Sequence, residues 1–144
     1  MVLSRADTGM RWNGESTFFC AAMLPFPFMT RFRMVFTTAS SQREARKLAR
    51  LAVENKLAAC VNIIPRVESV YRWQGKIKRD GEWLLLMKTS AEKVDALRQA
   101  ISAAHSYDLP EFLVVNIDDG SAEYLLWLAD SVGAKQSSRG ISHA

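Results

Sequence analysis

The sequence is poor in the residues from which most catalytic and redox sites are built. Its two cysteines, Cys20 and Cys60, are too few and too far apart for a disulfide framework or a CxxC pair. Of its two histidines, His143 lies near the C-terminus, which leaves His105 as the one plausible base for a nucleophilic triad. The seven glycines form neither a GxGxxG nor a GxxxxGK motif. We therefore expect a non-enzymatic protein of a reducing compartment, the cytoplasm.

Long apolar runs and blocks of one charge are also lacking. The nearest candidate for a membrane span, residues 18–29, is interrupted by two prolines and is shorter than the roughly 20 residues needed. The net charge of +4 comes from interleaved cations and anions, and the one basic stripe, residues 43–50, contains Glu44. We therefore expect neither a membrane protein nor a nucleic-acid-binding protein.

What is present suffices for one domain. A chain of 144 residues with 49% hydrophobic content can bury a single core. We expect residues 1–30 to be a poorly ordered extension, because Pro25 and Pro27 break their apolar segment. The domain should span residues 31–133, and residues 134–144 should form a polar tail.

The hydrophobic periodicity predicts an α+β fold. Strand patterns occur in residues 32–38, 60–73, 76–89 and 112–117. Helical patterns occur in residues 41–59, 89–104 and 122–132. Two capping boxes, Ser41 with Glu44 and Thr89 with Glu92, should begin the first two helices. The order predicts a ferredoxin-like βαββαβ sandwich with an antiparallel four-stranded sheet and an extra C-terminal helix.

The two long strands also bear on assembly. Residues 60–73 and 76–89 carry apolar side chains on both faces, whereas helices of this fold cover one face of the sheet. The second face needs a cover, and a second copy of the chain is the simplest one.

The segment HSYDLPE, residues 105–111, leaves two interpretations open. It can be a helix end, where His105 interacts with the last carbonyl groups before a turn set by Pro110. It can also be a mixed nitrogen and oxygen site in which His105, Asp108 and Glu111 bind Cu(II) or another divalent metal. Cys60 we interpret as a buried packing residue.

Four segments together resemble the CutA divalent-cation tolerance proteins. They are ACVNIIP (59–65), SVYRWQGKI (69–77), HSYDLPE (105–111) and YLLWL (124–128). The resemblance covers about residues 32–132 and implies a ferredoxin-like homotrimer linked to tolerance of copper and other divalent cations. Some family members carry a cysteine in the first strand that is implicated in metal binding, and the matching position here is Thr37. We therefore expect no strong preference for Cu(I).

The same resemblance implies an alternative function. The trimeric architecture is similar to that of PII-type signalling proteins, which hold small ligands in clefts between subunits. On this hypothesis, Tyr71, Trp73, Lys88 and Tyr107 would line a pocket for a small anion.

Overall fold

The computed structural model describes residues 31–134. Within that range four strands and three α-helices follow the order βαββαβα. The strands are β1 (Phe32–Ala39), β2 (Cys60–Trp73), β3 (Lys76–Ser90) and β4 (Leu113–Ile117), and the helices are α1 (Gln42–Glu54), α2 (Val94–Ala104) and α3 (Ala122–Ser131). The predicted α+β class and element order are confirmed. The predicted extension, residues 1–30, and the tail beyond residue 134 lie outside the described residues.

The four strands form one antiparallel sheet in the order β2-β3-β1-β4. Strand β1 ends at Ala39, which is paired with Trp83, so the part of β3 before Trp83 pairs with β2 alone. Gln74 and Gly75, both with positive φ, turn β2 into β3, which suits a two-residue hairpin loop. The β2–β3 hairpin therefore projects beyond the rest of the sheet.

The main core lies between one face of the sheet and helices α1 and α2. Leu85 and Met87 alternate along β3 with half-buried neighbours and pack against the apolar faces of both helices. Ser41 caps α1 as predicted, because its hydroxyl accepts the N–H of Glu44 at 3.2 Å. Helix α1 thus begins where the sequence indicated, with its apolar stripe on the sheet.

The second predicted capping box, Thr89 with Glu92, is wrong. Thr89 is still in β3, where its buried hydroxyl donates to the carbonyl of Leu57 at 2.6 Å. A single 3-10 turn, Ala91–Lys93, follows Ser90, whose side chain makes no capping bond. Pairing with β1 keeps Thr89 in the strand, and this long-range ladder overrides the local helix signal.

Among residues 31–134, the other face of the sheet is covered at one end only. Phe32 is three residues from the core residue Val35, so strand alternation places the two on opposite faces. Phe32 packs in a second cluster with Leu128 and Val132 of the α3 region, which brings α3 to this face. Ala134, predicted to begin the tail, is buried in the same cluster. In the described range no helix is long and apolar enough to span a membrane.

Candidate functional site

A cleft of about 570 Å³ lies where the projecting hairpin runs past the end of β1. One wall is the hairpin, and the other is the segment between α2 and β4, which contains HSYDLPE. The lining residues are Thr38, Ser69, Tyr71, Trp73, Glu82, Ser106, Tyr107, Asp108, Leu109 and Glu111. Because β1 ends at Ala39, this segment can reach β3, where Tyr107 contacts Glu82.

The second wall is held in position by Glu44 of α1. Its carboxylate accepts the backbone N–H of Ser106 at 2.7 Å and both the N–H and the hydroxyl of Ser40, at 3.1 and 2.8 Å. Burial alone would raise the pKa of Glu44, but the hydrogen bonds from Ser106 and Ser40 outweigh it and bring the pKa down to about 2. An ionised Glu44 therefore ties the start of α1 to the start of this wall.

His105 is a buried residue at the point where α2 ends and the same wall begins. Its side chain is 0% exposed, and Nε2 lies 2.7 Å from the carbonyl oxygen of Thr38. Since a carbonyl only accepts, Nε2 carries the proton and donates it, which leaves the Nδ1 lone pair to accept the N–H of Tyr107 at 3.0 Å. The backbone N–H of His105 also closes α2 on Ile101. Both ring nitrogens are thus used to shape the chain.

Tyr107 joins the two walls across the base of the cleft. Its hydroxyl donates to Glu82 Oε1 at 2.8 Å. Burial raises the pKa of Tyr107 above its ordinary range, and the bond to Glu82 and its charge raise it further. Tyr71 makes a similar bond to Asp80, which raises the pKa of Tyr71 as well. Both phenols therefore stay neutral at physiological pH.

Glu82 is a functional candidate that the sequence reasoning missed. It is only 7% exposed, and its second oxygen, Oε2, has no hydrogen-bond partner among residues 31–134. Nor does any lysine or arginine in that range pair with it. The one sequence signal was a carboxylate directly before the apolar run WLLLM, on a strand expected to be buried.

The predicted metal ligands are not assembled within one chain. Asp108 and Glu111 line the cleft, whereas His105 does not, and both of its nitrogens are already bonded. No group of three histidine, cysteine, aspartate or glutamate side chains in the described part of the chain is placed to hold a metal ion. The residues present therefore do not fit a resident Cu(II) or Zn(II) ion bound through His105.

Three of the four residues predicted for a ligand pocket do come together. Tyr71, Trp73 and Tyr107 line the cleft, but Lys88 lies near the far end of β3. Its ammonium group donates to Asn62 and is 3.8 Å from the sulfur of Cys60. Cys60 itself is half-buried and not a core residue, because it faces this lysine at the beginning of β2.

The cleft is negatively charged. Glu82, Asp108 and Glu111 line it, and no lysine or arginine of residues 31–134 does. Burial raises the pKa of Glu111, and the charge of Glu82 adds to the shift. By register, Lys78 is opposite Tyr71 on the same face of the hairpin, yet its side chain does not line the cleft. This surface therefore attracts positive charge.

The fold and the cleft define a small α+β protein with an acidic, aromatic-walled cleft. The family model described as "CutA1 divalent ion tolerance protein" matches residues 33–131. A Thermus thermophilus relative named "Divalent-cation tolerance protein CutA" is 43% identical over 100 residues, 69% of this chain and 97% of its own. The solved CutA1 structure from the same organism covers 69% of this chain and 97% of its own with a TM-score of 0.68.

Relatives from other organisms agree. The rice CutA1 crystal structure is 40% identical, covers 72% of this chain and 95% of its own, and has a TM-score of 0.70. An Arabidopsis thaliana relative, "Protein CutA, chloroplastic", is 44% identical over 98 residues, 68% of this chain. The match spans about half of that relative's length, 54%. This chain belongs to the CutA1 divalent ion tolerance family.

Proposed function

We propose that this protein is a homotrimeric divalent-cation tolerance protein that binds its cation in the cleft and catalyses no reaction. The observation that carries the proposal is the family match over residues 33–131. The acidic lining of the cleft supports a cation over the small anion of the PII-like alternative, because an anion would meet Glu82, Asp108 and Glu111 without a positive lining residue from the described part of the chain.

The donors available in the cleft favour a hard divalent ion. Imidazole nitrogen suits copper and zinc, but both nitrogens of His105 are bonded within the chain. What remains is the negative charge of Glu82, Asp108 and Glu111, which are not grouped closely enough to coordinate a metal together but would attract a hydrated magnesium, calcium or manganese ion. We therefore propose weak binding of such an ion, which would retain several of its waters.

Calorimetric titration with Mn(II) and with Cu(II) tests this proposal. Glu82→Gln and Glu111→Gln should each weaken Mn(II) binding several-fold, since each removes a charge from the cleft. The matched control is Glu123→Gln, an exposed carboxylate on α3 outside the cleft. His105→Ala should weaken Mn(II) and Cu(II) binding by the same modest factor, because it loosens the wall that carries Asp108 and Glu111 without removing a ligand. If His105→Ala abolishes Cu(II) binding by a folded protein while Mn(II) binding persists, the histidine is a ligand after all and our choice of metal is wrong.

The sheet order β2-β3-β1-β4 supports the ferredoxin-like arrangement, and a sheet face that residues 31–134 cover only in part supports the proposed trimer. Leu113 and Val115 of β4 are 57% and 46% exposed, and Phe36, paired with Leu113, is only half-buried. Apolar area of this kind on two neighbouring strands is typical of an interface. Val115→Glu should dissociate the trimer in sedimentation velocity at micromolar concentration. Val53→Glu, at a comparably exposed position on α1, should not.

A growth assay tests the cellular role. In a bacterial host that lacks its own CutA protein, this chain should restore growth in excess divalent metal, and Glu82→Gln should restore it less. Unchanged growth on expression of the wild-type chain would contradict the tolerance function. Nucleotides should leave the melting temperature unchanged, and a clear rise with a nucleotide would favour the PII-like alternative instead.

A further inference from the structure

The cleft has aromatic walls that a hydrated metal ion does not use. Trp73 and Tyr71, 44% and 41% exposed, line it from the hairpin, and Tyr107 lines it from the opposite wall. The face of an aromatic ring attracts a cation that has shed its water. Both phenols donate their protons to carboxylates, Asp80 and Glu82, which increases the negative charge on the ring faces. The walls therefore suit a cation with a weakly hydrated surface.

The base of the cleft supplies the charge. Glu82 is buried, bonded on one oxygen to Tyr107, and unpaired with any cation in residues 31–134. The charge of a buried carboxylate without a counter-ion is poorly solvated, so a cation that enters the cleft stabilises that charge more than the surrounding water does. Glu111 lies in the same cleft, where burial and the charge of Glu82 raise its pKa. No lysine or arginine of residues 31–134 lines the cleft to balance these carboxylates.

The size of the cleft distinguishes the kinds of cation that fit it. Its volume of about 570 Å³ falls in the usual range for small-molecule sites, roughly 300–1,000 Å³, and far exceeds that of a bare metal ion. Leu109, which is 73% exposed, adds apolar surface at the rim. A ligand that combines a positive centre with apolar substituents would match the charge, the rings and the rim together.

From these observations we infer that the cleft recognises an organic ammonium ion, held against the faces of Trp73 and Tyr71 with its charge directed to Glu82. The inference stands apart from the divalent-cation proposal, because it depends on the aromatic walls and would hold if no metal bound.

The test is a calorimetric titration of the full-length protein with choline and with its uncharged carbon analogue, in which a tert-butyl group replaces the trimethylammonium group. The two probes have nearly the same shape, so the difference between them reports the charge. Choline should bind saturably and at least tenfold more tightly than the analogue. Equal affinity for both would mean that the cleft binds apolar shape alone, which would overturn the inference.

Two variants locate the binding. Trp73→Leu keeps apolar bulk but removes the ring face, and it should weaken choline binding roughly tenfold. Glu111→Gln should weaken it several-fold, and it avoids the risk that a change at the buried Glu82 disturbs folding. The control is Trp127→Leu, which removes an equally exposed indole from α3. Choline affinity that is unchanged in both cleft variants would refute this site.

The metal titration separates this inference from the proposed function. Trp73→Leu should leave Mn(II) affinity unchanged, because the charge of the carboxylates attracts the hydrated metal and the indole ring contributes no ligand. If choline fails to bind while Mn(II) binds, the ammonium inference alone is wrong. If Mn(II) fails to bind while choline binds as described, the ammonium inference holds and the proposal that the cleft binds a divalent metal ion is wrong.

Discussion

Replacing Glu44 by glutamine should destabilise the domain and loosen one wall of the cleft. The carboxylate accepts three hydrogen bonds, two from Ser40 and one from Ser106, and its side chain is only 10% exposed. Glutamine retains one acceptor oxygen and places an amide NH₂ group against the remaining N–H donors, so at least one of them loses its partner.

The pKa of Glu44 gives the magnitude. It falls from an ordinary value of 4.5 to about 2, and at about 1.4 kcal/mol per pKa unit this difference corresponds to roughly 3 kcal/mol. Because the folded-state pKa is the lower one, the stabilisation is complete above pH 4.5 and is lost as the pH falls towards 2. Glu44→Gln should therefore cost about 3 kcal/mol at pH 7 and much less near pH 2.

Urea unfolding, followed by tryptophan fluorescence between pH 2 and 7 at a fixed protomer concentration, measures both quantities. The control is Glu54→Gln on the same helix, whose exposed pair with Arg50 should contribute less than about 0.5 kcal/mol. If Glu44→Gln and Glu54→Gln have equal stability at pH 7, the carboxylate does not hold the wall and our account of the cleft fails.

Three further predictions follow from buried polar groups. Thr37→Val should stabilise the protein by about 1 kcal/mol, because the buried Thr37 hydroxyl has no partner within residues 31–134. Thr89→Val should destabilise it by a similar amount in thermal unfolding, because it removes the bond to Leu57; the reverse order would contradict both assignments. His105→Ala should lower the melting temperature, since it leaves the Thr38 carbonyl and the Tyr107 N–H unpaired. An unchanged melting temperature would mean that these two hydrogen bonds of the imidazole do not stabilise the fold. In ultraviolet pH titration Tyr107→Phe should remove a tyrosine that ionises well above the ordinary range, and loss of an ordinary one instead would refute the Glu82 bond.

The fold was largely predictable because its signals are local. The alternation of apolar residues predicted β2, Cys60–Trp73, with the observed bounds, and Gln74-Gly75 predicted the hairpin turn. The Ser41 cap of α1 was also correct, since a cap depends on residues three positions apart. The prediction that Thr89 caps a helix was wrong for the opposite reason. Thr89 and Glu92 have the same spacing of three positions, but the pairing of β3 with β1 decided the conformation of Thr89.

The site was predictable only in part. The resemblance and the aromatic residues pointed to Tyr71, Trp73 and Tyr107, which do line one cleft. Lys88 was included although it sits six residues beyond Glu82 on the same strand, about 20 Å away at 3.3 Å per residue. Composition alone could not show that the lining charge is negative, because that depends on which parts of two distant segments meet.

By itself the sequence determined the order of strands and helices, where the long hairpin turns, and that HSYDLPE ends a helix, since these depend on neighbours a few positions away; it did not determine every element end, because the first helix stops at Glu54 and Thr89 remains in β3. The tertiary structure alone decided that both ring nitrogens of His105 form hydrogen bonds with backbone groups. It also decided that Glu44 accepts a hydrogen bond from Ser106, 62 positions away, and that Tyr107 donates one to Glu82, 25 positions away. Those contacts depend on where β1 stops relative to β3, and a one-residue change in register would turn Glu82 to the other face of the sheet. No local pattern encodes that register, so the chemistry of the cleft emerges only when the strands are paired.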